Sequence, residues 1–164
     1  MQRLTQLEIA KEYLKFSAAH FTIFSGTDRE RLHGHNYSVT ALIDAPVGDN
    51  GMCFSYGIIK KKVGALVDAL DEYLHLPSLS PFLEVKEEGD CYLAKFNGEE
   101  MRFLKSDTLL LPIRNATVEE YAWYVLSELL KDEALVNGKD LQAITIKIAS
   151  GPGQSGSARW QRET

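Results

Sequence analysis

Leu32-His33-Gly34-His35-Asn36-Tyr37 is the stretch on which the reading of this chain depends. Only four histidines occur among 164 residues, and two of them flank Gly34 here. A third, His20, lies upstream in Phe16-Ser17-Ala18-Ala19-His20-Phe21. From His33 to Ile43 the pattern is that of a strand, with His33, His35, Tyr37, Val39, Ala41 and Ile43 on one parity. Residues i and i+2 of a strand point to the same face, so His33 and His35 project side by side. His20 follows Leu14, Phe16 and Ala18 at alternate positions, on the apolar face of a strand of its own. Antiparallel pairing of the two strands brings three imidazoles together. Three neutral nitrogen ligands with an open fourth position describe a catalytic zinc site. No cysteine joins the cluster, which disfavours a soft-metal site, and imidazoles dominate it, which disfavours magnesium. His20, His33 and His35 are therefore the candidate metal ligands and Zn2+ the expected cofactor, with iron, nickel and copper left open by the ligands alone.

Outward from that stretch, the composition describes one ordinary globular domain spanning 1–164, 45% hydrophobic, with enough chain for a core. No apolar run is long enough to span a bilayer and no signal peptide opens the chain, so no membrane association is expected. Cys53 and Cys91 give no disulfide framework, which points to a reducing, cytoplasmic setting. A net charge of −5 without a basic stripe argues against nucleic acid as a partner.

In chain order, alternation predicts a long first strand over residues 5–20. The polar segment Phe24-Ser25-Gly26-Thr27-Asp28-Arg29-Glu30-Arg31 reads as the loop joining the two histidine strands. Asp49-Asn50-Gly51 marks a turn before a short return strand, Met52-Cys53-Phe54. Ser55 caps an expected helix over 56–74, whose buried stripe is Ile59, Val63, Leu66, Val67, Leu70 and Leu74. Residues 82–103 read as an accessory β-hairpin turning at Asn97-Gly98. Thr117-Val118-Glu119-Glu120 is a capping box opening a second helix that runs to about residue 134. Asn137-Gly138 turns the chain, Ile144, Ile146 and Ile148 alternate along a late strand, and Gly151-Pro152-Gly153-Gln154-Ser155-Gly156 forms a loop. The expected architecture is α+β, with antiparallel strands backed by helices on one face. Such a sheet leaves edges that oligomerisation could cover.

Phe16-Ser17-Ala18-Ala19-His20-Phe21 and Leu32-His33-Gly34-His35-Asn36-Tyr37 resemble, in order and separation, the zinc motifs of the 6-pyruvoyl-tetrahydropterin and 6-carboxytetrahydropterin synthase family. Leu70-Asp71, Thr117-Val118-Glu119-Glu120 and the Gly-Pro-Gly-Gln loop extend the resemblance to nearly the whole chain outside 82–103. It implies a tunnelling fold (T-fold), with a four-stranded antiparallel sheet backed by two helices. It also implies a homo-oligomer, commonly a hexamer, and a pterin substrate such as 7,8-dihydroneopterin triphosphate.

The departures are informative. Family synthases place a cysteine shortly before His-Gly-His, and this chain has none there. Instead Glu30-Arg31-Leu32-His33-Gly34-His35 resembles a branch that uses glutamate. That branch cleaves the pterin side chain to 6-hydroxymethyl-dihydropterin and feeds folate synthesis. The alternatives are triphosphate elimination to the 6-pyruvoyl or 6-carboxy product, and a non-catalytic relative that binds zinc or pterin. The family's Asp-His pair reads Asp71-Glu72, with His75 one helical turn further on as a replacement. The glutamate that anchors the ring is expected near Ala149-Ser150, where neither residue is acidic, so either Glu119 or Glu120 takes that role, or the ring is held differently, or pterin is not the ligand. The resulting set is Glu30 as base, its pKa raised by partial burial, and Asp71 as proton relay. Thr117, Glu119 and Ser150 are expected on the substrate, and Arg29, Arg31 and Arg159 are candidates for phosphate.

Overall fold

The computed structural model describes residues 3–163. Its organising element is the long strand that contains His33 and His35, β3 (His33–Pro46). The strand is amphipathic along its whole length: Tyr37, Val39, Ala41, Ile43 and Ala45 are buried, while the alternate residues face outward. Two strands pair antiparallel with β3 end to end along one side, β1 (Leu4–Ile9) and β2 (Lys15–His20).

The single strand expected over 5–20 is thus two. Residues 10–14 stand opposite only residues 39 and 40 of β3, between the Ile9–Ala41 and Lys15–Ser38 pairs. The Leu14 N–H closes a turn onto the Lys11 carbonyl at 2.9 Å, and the Leu14 carbonyl accepts from Val39 N at 2.8 Å. The odd number of extra residues switches the parity of the strand. Leu7 and Ile9 face the core in β1, but Phe16, Ala18 and His20 do so in β2. A slip by an odd count reverses every side chain, and this bulge is what places His20 on the same face as His33.

Helix α1 (Gly57–Leu70) packs the buried stripe Ile59, Val63, Val67 and Leu70 against the sheet. It starts at Tyr56 without a side-chain cap, so the Ser55 cap does not form, and Met52-Cys53-Phe54 is irregular rather than a strand. The helix stops four residues before the expected end. Asp71 is extended, Glu72 takes a positive φ of 62°, and Glu72 N bonds the Ser17 carbonyl at 2.8 Å. The chain then enters a strand the periodicity did not show, β4 (Tyr73–Pro77), parallel to β2.

The accessory segment is a three-stranded antiparallel sheet of β5 (Glu84–Glu88), β6 (Cys91–Phe96) and β7 (Glu99–Leu104), not a hairpin. Gly89 turns β5 into β6, and Asn97-Gly98, both at positive φ, turn β6 into β7. A second unforeseen strand, β8 (Thr108–Leu111), returns to pair parallel with β4. Leu83, Ala94 and Phe96 from the accessory segment share a separate apolar cluster with Phe21, Ile23, Leu74 and Leu76.

Helix α2 (Val118–Leu130) is capped by the Thr117 side chain, which accepts from Glu120 N. The short α3 (Glu133–Gly138) follows, so Asn137-Gly138 ends a helix and the turn comes later, at Asp140 with a φ of 51°. Strands β9 (Ala143–Ala149) and β10 (Ser155–Gln161) complete a seven-stranded mixed sheet in the order β10-β9-β3-β2-β4-β8, with β1 beside β3. The four-strand expectation therefore counts too few strands. The main core lies between this sheet and α1 and α2. No helix among the described residues is long and apolar enough to cross a membrane.

Candidate metal centre and its cavity

His20 and His33 are direct partners across the β2–β3 pair, and His35 is opposite Ala18. The three rings converge beyond the end of the core, with one ligand atom from each within 4.8 Å of the others. The Nε2 atoms of His33 and His35 are 3.1 Å apart. Two imidazoles on one tetrahedral zinc, at Zn–N distances of about 2.0–2.1 Å, have nitrogens about 3.3 Å apart. The donor set and the His33–His35 spacing therefore fit a single ion.

Two tautomers are fixed by the backbone. His20 Nδ1–H donates to the Ala116 carbonyl at 2.8 Å, and His33 Nδ1–H donates to the Arg31 carbonyl at 2.6 Å. Each Nε2 lone pair is thereby left for a ligand, the usual second-layer support of a metal histidine. Tyr37, next on the same parity, places its hydroxyl 3.2 Å from His20 Nε2, beside the position a ligand would take. Burial lowers the pKa of His20, opposed by the Ala116 bond and reinforced by His33 and His35, a shift toward the neutral form that a metal ligand needs.

Glu30 stands on the cavity wall, its Oε2 3.7 Å from His33 Nε2. Thr22 holds it twice. Glu30 N donates to the Thr22 carbonyl at 2.8 Å, and Thr22 N donates to Glu30 Oε2 at 3.0 Å. The expected rise in its pKa is reversed. Burial pushes the carboxyl up, but the bonds from Thr22 and the nearby imidazoles of His33 and His20 outweigh it and leave it below its ordinary value.

His20, His33, His35, Glu30, Thr117, Glu119 and Ser150 all line one cavity of about 480 Å³. Its remaining wall includes Thr22, Phe24, Tyr37 and Gln154, which residue-type reasoning did not single out. Tyr37 was accessible from its parity with the histidines, whereas Thr22 acts through its backbone and leaves no trace in the sequence. Of the two glutamates at the start of α2, Glu119 faces the cavity, while Glu120 accepts from Arg114 N at 2.6 Å. Gly156 supports this wall, because a Cβ there would meet Glu119 N and the Val118 carbonyl carbon at 2.9 Å.

Several candidates lie elsewhere. Asp71 is not on the cavity wall, and its carboxylate accepts from Ser17 N at 2.6 Å beside β2. His75 is fully buried and is no replacement for the family histidine. Its Nε2–H donates to the Leu70 carbonyl and its Nδ1 accepts from the Tyr121 hydroxyl, both at 2.9 Å. Arg159 binds Asp44 and Thr145 in the main sheet, and Arg29 is turned toward the accessory sheet.

The sheet, its helices and the three-histidine cavity define a T-fold protein. The family model described as 6-pyruvoyl tetrahydropterin synthase matches residues 8–159. The chain belongs to this family of pterin-processing lyases. A 6-pyruvoyl tetrahydropterin synthase from Plasmodium vivax superposes with a TM-score of 0.92 at 26% identity, covering 98% of this chain and 99% of that one. The Plasmodium falciparum enzyme gives 0.91 at 27% identity, over 97% and 99%. Variants of the Plasmodium vivax protein replace a glutamate, described as a catalytic residue, by cysteine or alanine. A Methanocaldococcus jannaschii protein, provisionally named a 6-carboxy-5,6,7,8-tetrahydropterin synthase, is 29% identical over 89% of this chain and 90% of its own length.

Proposed function

We propose that this protein is a zinc-dependent lyase that cleaves the side chain of 7,8-dihydroneopterin triphosphate, or a close relative, to 6-hydroxymethyl-dihydropterin. The observation that carries this reading is the position of Glu30, a carboxylate 3.7 Å from His33 Nε2 in the same cavity as all three histidines. The glutamate described as catalytic in the Plasmodium vivax relative supports it. His20, His33 and His35 would hold the ion, which when bound supplies Lewis-acid polarisation of side-chain hydroxyls. Glu30 accepts the proton of a substrate hydroxyl as the adjacent carbon–carbon bond opens in a retro-aldol sense. The deprotonated oxygen becomes the carbonyl of a departing aldehyde that carries the phosphates, the electron pair of the broken bond passes toward the ring imine, and the proton returns to the carbon left on the ring. Thr117, Glu119 and Ser150 face the ring, with Glu119 as the acceptor for its N–H groups, because Glu120 is occupied by Arg114 N. Asp71 remains a relay candidate only through a route outside this cavity. The protein would act in the cytoplasm as a homo-oligomer, a hexamer first, and sedimentation showing only single chains would refute the assembly.

Turnover of dihydroneopterin triphosphate by wild type and Glu30→Gln, with product chromatography, tests the reaction. The variant is expected to retain zinc and to lose turnover by a factor on the order of 10² to 10⁴, the range for one general base. Equal turnover would remove Glu30 from the mechanism. Release of triphosphate by wild type, with a pyruvoyl product, would reassign the branch. Zinc and pterin binding without any turnover would make the protein a binding relative.

A further inference from the structure

We infer that Arg29 is the positioning residue for Glu30, and that the accessory sheet β5-β6-β7 acts on the reaction through it. The inference rests on the reading of Glu30 as the base. The Arg29 guanidinium carbon lies 5.0 Å from the ring centroid of Phe21 and 5.5 Å from that of Phe96. Phe21 directly follows His20, and Phe96 ends β6, so one planar cation is held between the metal strand and the accessory sheet. Both rings are buried.

The two ends of the guanidinium fork do different things. Nη1 donates to the Glu30 carbonyl at 2.9 Å, and Nη2 donates to Glu99 Oε2 at 3.3 Å, just past the Asn97-Gly98 turn. A planar fork can serve both partners and still stack on the rings, which an ammonium cannot do. Nε is buried without a hydrogen-bond partner among the described residues. A buried donor left unmade is unfavourable, so the side chain is kept here by its other contacts.

The consequence for Glu30 is geometric. Its N–H is bonded to the Thr22 carbonyl, which fixes the peptide plane before its Cα. Arg29 holds its carbonyl, which fixes the peptide plane after it. With both planes set, the Cα–Cβ direction of Glu30 is set, and the bond from Thr22 N to its Oε2 at 3.0 Å then holds the carboxylate on the side of His33. The accessory sheet supplies the far anchor of this device through Glu99 and Phe96.

The test uses full-length, zinc-loaded protein and dihydroneopterin triphosphate. Arg29→Ala is expected to lower kcat about 10- to 100-fold, the scale of a small misplacement of a catalytic group. KM and bound zinc should stay near wild type, and residues 24–31 should exchange amide hydrogens faster. Arg29→Lys should recover only part of the loss, and Glu99→Gln, a milder change that leaves the core intact, should show a smaller loss of the same kind. In a Glu30→Gln background Arg29→Ala should cost nothing further, because its effect passes through Glu30. Losses that multiply in the double variant, an unchanged kcat, or a fall in kcat that tracks zinc loss would overturn the inference. Wild-type turnover by Glu30→Gln would instead overturn the base itself, and the positioning role with it.

Discussion

Gly156→Ala places a methyl group where there is no space for one. The added Cβ would lie 2.9 Å from Glu119 N and from the Val118 carbonyl carbon, and 3.1 Å from Glu119 Cα. Ordinary contact begins near 3.4 Å, so the start of α2 and β10 must separate by about 0.5 Å. The opposing atoms are backbone, so no side chain can rotate away. Overpacking of this kind costs about 1–3 kcal/mol, and the lower chain entropy of alanine in a strand offsets about 0.5–1 kcal/mol of it. The net loss is about 0–2.5 kcal/mol, centred near 1 kcal/mol. The displaced segment carries Thr117 and Glu119 into the cavity, while the histidines are fixed by β2 and β3. Denaturant titration should therefore show reduced stability. Steady-state kinetics should show a raised KM for the pterin, with zinc content unchanged. A variant as stable as wild type with an unchanged KM would refute the account of Gly156 as the spacer between β10 and α2.

His75 predicts a pH dependence that can be isolated. Burial, opposed by the Leu70 bond and reinforced by His20, lowers its pKa from 6.5 to about 4. The unfolded chain therefore binds this proton first. Stability is intact above about pH 6.5 and falls progressively toward pH 4, by about 3 kcal/mol in total. The stability difference between wild type and His75→Leu should shrink by that amount from pH 7 to pH 4, and a constant difference would refute it. His33→Ala and His35→Ala should each abolish stoichiometric zinc binding, measured by metal analysis after dialysis. A wild type that purifies metal-free and takes up no zinc on supplementation would exclude the zinc assignment. Thr117→Ala removes the acceptor for Glu120 N and should cost about 1 kcal/mol in thermal or denaturant unfolding.

The histidine cluster was legible because strand geometry is periodic. Parity alone put His33 beside His35 and His20 on the apolar face of its own strand, while the register that pairs His20 with His33 comes with the odd-count bulge at residues 10–14. The capping pattern at Thr117 marked the start of α2 for a similarly local reason: the side chain satisfies a backbone N–H three residues away. By contrast, Tyr73–Pro77 and Thr108–Leu111 were not read as strands. Each is short, and each is a strand because a parallel partner, distant in sequence, accepts its backbone bonds. The early end of α1 has the same origin, since Glu72 N leaves the helical ladder for the Ser17 carbonyl.

The sequence by itself determined the α+β class, the three converging imidazoles and the presence of a carboxylate near them, because these follow from residue type and local period. Only the tertiary structure decided what each polar group near the cavity is bonded to. Glu119 lines the cavity while Glu120 is engaged by Arg114 N, and Asp71 is held beside β2 by Ser17 N. Arg29 is taken by Phe21, Phe96 and Glu99 and not left for a phosphate. These partners lie between 6 and 70 residues apart along the chain. No local pattern can encode such a bond, because it forms only after burial has brought the two groups together and removed water as the competing partner.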